Sequence, residues 1–380
     1  MSTSFTFNEI HQQPAMWRKE FRTMLAAKAE ISAFMHKYLT PETDVVLTGA
    51  GTSAFIGDAI CPIMRGMWHA NVRAVPTTGI ITHSRYVLDP ERPLLLISFA
   101  RSGNSPESLG AVNLANKQCS RIAHIYITCN KEGKLAKQAV ESQKSKVESN
   151  ILLLLLPEET DDKSLAMTSS FSTMLLTCLM LGRIDTLEQD EPMVEKAARN
   201  AEAVMADYET RLQEIASRPF ERGVFLGSGA LKGIAEECHL KLQELTDGAV
   251  VCKFDSFLGF RHGPKAVVND HSIVVYLMTG EEEVNRYERD LVRQVDSNNR
   301  PVAQVIVIAG EAPDMGEVKA DLVVRMPYGK TENEFYGIVS YVLVGQLLGY
   351  YASLAHGLNP DAPSVSGNIH RVVEGVTIYE

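Results

Sequence analysis

The chain writes one pattern twice. Val45-Val46-Leu47-Thr48-Gly49-Ala50-Gly51 is an apolar run that ends in Gly-x-Gly, and Val224-Phe225-Leu226-Gly227-Ser228-Gly229 repeats it in the second half. An apolar run of strand length followed by paired glycines predicts a strand that turns tightly into a helix, here over Ala54–Met64 and Ala230–Leu245. More strand-like runs follow in each half: Leu94–Phe99, Ile122–Thr128 and Ile151–Leu156, then Ser272–Met278, Ala303–Ile308 and Asp321–Met326. Strands that alternate with helices build parallel sheets flanked by helices and bind ligands outside the C-terminal strand ends. The repeat therefore restricts the chain to two similar α/β domains, for which its 380 residues suffice.

The expected layout is a helical N-terminal extension over 1–44, a first domain over 45–186, a linking helix over 187–220, a second domain over 221–345, and a helix end and tail over 346–380. Within it, Pro14–Lys37 reads as helix. Leu187–Arg218 lacks Gly, is rich in Ala, Glu, Met and Leu, and predicts one long helix with Pro192 near its start. Phe335–His356 predicts another, followed by the Pro/Gly/Ser-rich tail Gly357–Gly367.

A net charge of −10 argues against a general nucleic-acid binder, which needs a basic footprint, though not against a local anion site. The longest apolar stretches noted, Ile151–Leu156 and Met174–Leu181, are too short to cross a bilayer, and the N-terminus lacks the apolar core of a secretory signal. Six cysteines without Cys-x-x-Cys spacing read as reduced thiols. The expectation is a cytoplasmic protein with no nucleic-acid or membrane partner.

Residues 98–108, Ser-Phe-Ala-Arg-Ser-Gly-Asn-Ser-Pro-Glu-Ser, carry the clearest chemistry. They follow a buried strand, and Ser105, Pro106 and Glu107 suit the N-cap and first turn of a helix. The free N–H groups of such a helix start, with the hydroxyls of Ser102, Ser105 and Ser108, make a phosphate pocket. Gly49-Ala50-Gly51-Thr52-Ser53 lacks the acidic residue a dinucleotide fingerprint needs about twenty positions on; Asn71 and Arg73 stand there instead. Thr52 and Ser53 are better read as sugar contacts, against the plainer reading of a tight turn. Met167-Thr168-Ser169-Ser170 is either a simple N-cap cluster or a third wall of the same pocket. Glu244, in Lys241-Leu242-Gln243-Glu244-Leu245, is a candidate carboxylate, and on pattern alone Glu236 and Glu237 are equally good. Arg261-His262-Gly263-Pro264 displays a histidine on a turn that Gly-Pro pins, which suits proton transfer near neutral pH. The histidines show no metal-ligand spacing, so neither a metal nor a cofactor is expected.

Together these residues resemble the tandem form of the sugar isomerase (SIS) domain family, over about residues 45–380. The motifs that carry the resemblance are Gly49–Ser53, Arg101-Ser102-Gly103-Asn104-Ser105, Lys241–Leu245 and Arg261–Pro264. They are similar to the isomerase half of glutamine–fructose-6-phosphate amidotransferase, and Leu47–Asp58, Leu94–Ser108 and Pro360–Val376 resemble the bacterial galactosamine-6-phosphate deaminase/isomerase branch. The resemblance implies two flavodoxin-like sheets and a homodimer or higher homo-oligomer whose histidine acts in the neighbouring subunit's site. It implies phosphate contacts at Ser53, Arg101, Ser102, Ser105 and Thr168, with Thr52, Gly103 and Ser169 alongside, a catalytic base at Glu244 and a ring-opening histidine at His262. Ala100 stands where the family has its first phosphate-turn serine. The tail lacks the amidotransferase's lysine, and His370, Arg371 or Glu374 would occupy its space. The implied reaction converts D-galactosamine 6-phosphate to D-tagatose 6-phosphate and ammonia in amino-sugar catabolism. The alternatives are a ketose/aldose isomerase for tagatose 6-phosphate or another phosphosugar, without ammonia release, and a non-catalytic phosphosugar sensor. The sensor lacks room for a helix-turn-helix in the first 44 residues.

Overall fold

Five parallel strands form the first sheet: β1 (Asp44–Thr48), β2 (Asn71–Ala74), β3 (Leu94–Ala100), β4 (Ile122–Thr128) and β5 (Ile151–Leu155), in the order β2-β1-β3-β4-β5. Five more form the second: β6 (Arg222–Gly227), β7 (Val251–Asp255), β8 (Ser272–Met278), β9 (Ala303–Ala309) and β10 (Leu322–Met326), in the order β10-β9-β8-β6-β7. These come from a computed structural model that describes residues 4–144, 149–298, 300–310, 319–329, 334–373 and 375–379. Counted within each half, both orders are the flavodoxin-like one, with the chain reversing direction between the first and third strands. Every residue of β3, β8 and β9 is buried, as unbroken apolar runs require of central strands covered on both faces.

The helices that matter for the site are α1 (Thr52–Trp68), α2 (Pro106–Gln118), α3 (Ser169–Leu181), α4 (Ala230–Leu245) and α5 (Ile338–Ala355). The repeat read from the sequence extends to the backbone. Gly51 before α1 has φ 55° and ψ −132°, and Gly229 before α4 has φ 54° and ψ −125°. That region is closed to residues with a Cβ, so each strand-to-helix turn needs its glycine. The preceding glycines serve closeness instead: a Cβ on Gly49 would lie 2.5 Å from the Ser53 carbonyl, and one on Gly227 2.2 Å from that of Leu231.

By contacts the chain divides into two units. One, built on the first sheet, comprises Met16–Asp162, Ser169–Glu191 and His370–Glu380; the other, built on the second, comprises Met1–Ala15, Lys163–Thr168 and Pro192–Ile369. In the first, Val46, Leu96, Ala111, Val112 and Tyr126 centre one core. In the second, Val224, Leu226, Val274, Tyr276 and Ile306 centre another. The helix Phe5–His11 belongs to the second unit, where the Thr6 hydroxyl and N–H both donate to the Asp361 carboxylate at 2.8 Å. In the first unit, the Trp17 indole donates to the Ser172 hydroxyl at 3.0 Å, holding the helix Gln13–Ala26 on α3.

Two expectations change. The single helix over Leu187–Arg218 is a 3₁₀ turn (Ile184–Gln189), an α-helix (Glu191–Ala203), a π-helical turn (Val204–Tyr208) and a second α-helix (Glu209–Ala216). The break falls at Asp190, whose buried carboxylate takes the Arg183 guanidinium at 2.8 Å just before Pro192 starts the next helix. The longest apolar helix is α5, not one of the shorter runs; it is apolar and long enough by composition to cross a membrane, yet 78% of that span is buried inside the protein. It is a core helix of the second unit, packed on α4.

Candidate active site

The turn after β3 stands at the point where the first sheet reverses direction, between the starts of α1 and α2. Ser105 caps α2: its hydroxyl accepts the Ser108 N–H at 3.2 Å and donates to the Ser108 hydroxyl at 2.7 Å. Ser108 is thereby engaged within the cap. The turn is fastened to the loop after β4. Asn130 donates to the Ser102 carbonyl at 3.1 Å, the Leu135 N–H to the Gly103 carbonyl at 3.2 Å, and the Lys134 N–H to the Asn104 side chain at 3.0 Å. A Cβ on Gly133 would lie 2.4 Å from the Ser102 carbonyl, so that loop approaches as only glycine allows. Thr52 and Ser53, both buried, open α1 beside it. Two helix starts and their hydroxyls thus face one end of the sheet, where the helix dipoles favour an anion.

The second sheet does not repeat this cradle. After β8 the chain reads Thr279-Gly280-Glu281-Glu282, and the Thr279 N–H donates at 3.0 Å to the carboxylate of the buried Glu288. An internal carboxylate stands at the turn equivalent to the first unit's serines.

Arg101 is buried, and its guanidinium donates to the Arg371 carbonyl at 2.6 Å. Arg371 in turn donates to the Asp162 carbonyl at 3.0 Å and to the Asp161 carboxylate at 3.1 Å. The tail therefore crosses the turn through Arg371, while His370 is exposed and Glu374 lies outside the described residues. Ser169 donates to the Asp162 carboxylate at 2.5 Å, and the Ser170 N–H and hydroxyl bond the other oxygen at 2.9 and 2.6 Å. Asp162 thus caps α3 from within the chain. The Thr168 carbonyl, in the second unit, accepts from Gln346 at 3.4 Å.

Glu244 sits near the end of α4 with its side chain 14% exposed. Residues 237, 241 and 244 share one helix face, and there Lys241, wholly buried, pairs with Glu237 at 3.2 Å and with Glu244. Burial opposes the lysine's charge, but Glu237 and Glu244 outweigh it and raise its pKa above the ordinary lysine value. A cation at close range orients a carboxylate through charge-assisted hydrogen bonds. Glu237 is thus spent in the buried pair, and Glu236 lies off that face. Lys241 is the member of this cluster that the sequence reading passed over. Its only signal was the i−4 and i+3 spacing to two glutamates.

His262 is exposed on the loop between the short helix Phe257–Phe260 and the 3₁₀ turn Pro264–Val267. Ser256 caps that helix by accepting the Gly259 N–H at 3.0 Å, and the His262 N–H donates to the Gly259 carbonyl at 3.0 Å. Gly263 follows at φ 122°, which fixes the display of the imidazole. The structure thus collects Thr52, Ser53, Arg101, Ser102, Gly103, Ser105, Ser169 and Arg371 in the first unit, and Thr168, Glu244 and His262 in the second. Among the described residues no group of three or more His, Cys, Asp or Glu could hold a metal ion. All six cysteines are free thiols.

The SIS domain model matches residues 38–183 and 219–353. The D-galactosamine-6-phosphate deaminase AgaS of Escherichia coli is 37% identical over 99% of this chain and 96% of its own length. The protein of the same name from Shewanella sp. (strain ANA-3) is 35% identical over 99% of this chain and 92% of its own. Among solved structures, tagatose-6-phosphate ketose/aldose isomerase from Escherichia coli is similar with a TM-score of 0.88 and 33% identity, covering 100% of this chain and 97% of that one.

Proposed function

Because the chain belongs to the SIS domain family, matched in both of its halves, we propose that it moves a proton between C1 and C2 of a hexose 6-phosphate, and that its substrate is D-galactosamine 6-phosphate. The serine-lined turn at the start of α2 carries this reading. A phosphate dianion fits its hydroxyls and helix N-terminus, and anchoring that end turns remote binding energy into alignment of the reacting carbons.

In this reading the phosphate docks on Ser53, Ser102 and Ser105, with Thr52, Gly103, Thr168 and Ser169 around the sugar. Arg101 and Arg371 order the turn. His262 moves a proton between the ring oxygen and the anomeric hydroxyl and opens the ring. Its exposure suits a histidine that serves a neighbouring subunit of a homo-oligomer. Glu244, oriented by Lys241, takes the proton from C2 and returns it to C1. The enolamine becomes a ketimine; water adds at C2 and ammonia leaves, giving D-tagatose 6-phosphate. No cofactor enters, and free thiols suit a cytoplasmic enzyme.

A second reading has a specific support, the likeness to a tagatose-6-phosphate ketose/aldose isomerase. The same proton shift on a substrate without the amino group is an aldose–ketose isomerisation. Incubation with galactosamine 6-phosphate, with ammonia and ketose measured together, separates the two. Equal amounts of both products are expected. Ketose formed from an aldose phosphate, with no ammonia from the amino sugar, would replace the deaminase reading with the isomerase one.

A further inference from the structure

The phosphate turn does not exhaust the polar groups at the C-terminal edge of the first sheet. Thr48 ends β1, and Ser98 stands opposite it in β3. Thr77 opens the helix Thr77–Val87, and its N–H donates to the Gly49 carbonyl at 2.8 Å, which brings that helix start against the turn after β1. Residues in register on neighbouring parallel strands share a face of the sheet, as do residues two apart on one strand. Val46, Leu96 and Ala100 lie on the same face as Thr48 and Ser98, in the core formed with Ile80 of the helix Thr77–Val87 and with Ala111 and Val112 of α2. Thr48 and Ser98 therefore share one face of the sheet near its C-terminal end, and the helix that Thr77 opens starts against the turn after β1.

Thr48, Thr77 and Ser98 are 1%, 1% and 3% exposed. None of their three hydroxyl oxygens has a hydrogen-bond partner among the described residues. Nearby hydroxyls are paired: Ser105 with Ser108, and Thr128 with the Arg101 carbonyl. A buried hydroxyl without a partner destabilises the fold, and native proteins keep few of them. Three near one end of the sheet call for partners that arrive from outside.

We propose that Thr48, Thr77 and Ser98 are further ligands of the phosphorylated sugar, their hydroxyls left unpaired in the free protein for the substrate's oxygens, directly or across one trapped water. This rests on the phosphosugar reading of the adjoining turn. Phosphate oxygens and sugar hydroxyls offer the same acceptor chemistry, and the test separates them.

Thr48→Val and Thr77→Val keep the side-chain shape and remove the hydroxyl; Ser98→Ala removes the third. Each variant is titrated calorimetrically with galactosamine 6-phosphate and with inorganic phosphate, and the two valine variants are also melted without ligand. The dissociation constant for galactosamine 6-phosphate is expected to rise about tenfold in each variant, the worth of one hydrogen bond. The ligand-free valine variants are expected to melt at or above the wild-type temperature, because an unsatisfied group has gone. A loss shared by inorganic phosphate assigns the hydroxyls to the phosphate end, and a loss confined to the phosphosugar assigns them to the sugar. Unchanged affinity in all three variants, beside a wild type that binds, would overturn the proposal and leave the phosphosugar reading standing. Lowered melting temperatures in both valine variants would mark the hydroxyls as paired parts of the frame and overturn it too. A wild type that binds no phosphosugar would remove the reading itself.

Discussion

Lys241 is wholly buried, with two carboxylates within reach. Removing one member of a buried ionic cluster strands the others, at a typical cost of about 3–5 kcal/mol. Lys241→Met should therefore lower unfolding stability by that order in a denaturant titration, and lower turnover further than stability alone explains, since Glu244 loses the partner that orients it. A stable, fully active Lys241→Met would contradict the positioning role. Glu20 is the opposite case, a buried carboxyl with a hydroxyl beside it. The Thr177 hydroxyl donates to it at 3.1 Å, yet burial prevails and pushes its pKa up to about 8 from 4.5. The folded chain keeps a proton there that the unfolded chain releases, so this contribution to stability is complete below pH 4.5 and is lost as pH rises towards 8. Glu288 acts in the same sense, pushed by burial up to about 7. Glu20→Gln should raise the melting temperature relative to wild type more at pH 8.5 than at pH 5, and an equal difference at both would refute the assignment.

Between helices, close approach fixes where Glu244 stands. A Cβ on Gly345 of α5 would lie 2.5 Å from the Cβ of Cys238, and one on Gly349 2.8 Å from the Lys241 carbonyl. These two glycines, one turn apart, let α5 lie directly on α4 behind the Glu237–Lys241–Glu244 face. Gly349→Leu should force the helices apart, cost about 1–3 kcal/mol as overpacking does, and reduce turnover with it. Circular dichroism melting and the ammonia assay together check this; wild-type values for both would mean that the helix contact does not govern the site. The central strands were legible in the sequence because burial on both faces leaves an unbroken apolar run. Two of the four edge strands, β2 (Asn71-Val72-Arg73-Ala74) and β7 (Val251-Cys252-Lys253-Phe254-Asp255), were not, because polar and charged residues break their apolar runs, whereas the edge strands β5 and β10 stay apolar enough to be read. The serine turn and its helix cap were legible through their cap residues, whereas Lys241 looked like any solvated helix lysine until its burial was known.

Across the whole chain, the written repeat led directly to two sheets of one topology, and only one of them carries the serine-lined turn. Contacts between distant parts of the sequence had no local signal. Thr6 meets Asp361 and Arg101 meets Arg371, so the N-terminal helix joins the second sheet's unit and the C-terminal tail the first's. Nothing in the residues around either position announces such a partner, since pairing across hundreds of residues is decided by packing. The unpaired hydroxyls of Thr48, Thr77 and Ser98 were hidden for the same reason: in the sequence they read as ordinary strand and cap residues. The account's central claim is that a hexose phosphate gripped by the serine turn is worked on by one carboxylate, Glu244. Glu244→Gln keeps the side chain's size and removes its basicity. Measured with galactosamine 6-phosphate, this variant should retain substrate affinity within a few-fold while ammonia and ketose formation fall by about a thousandfold or more. Turnover near the wild-type rate would contradict the account.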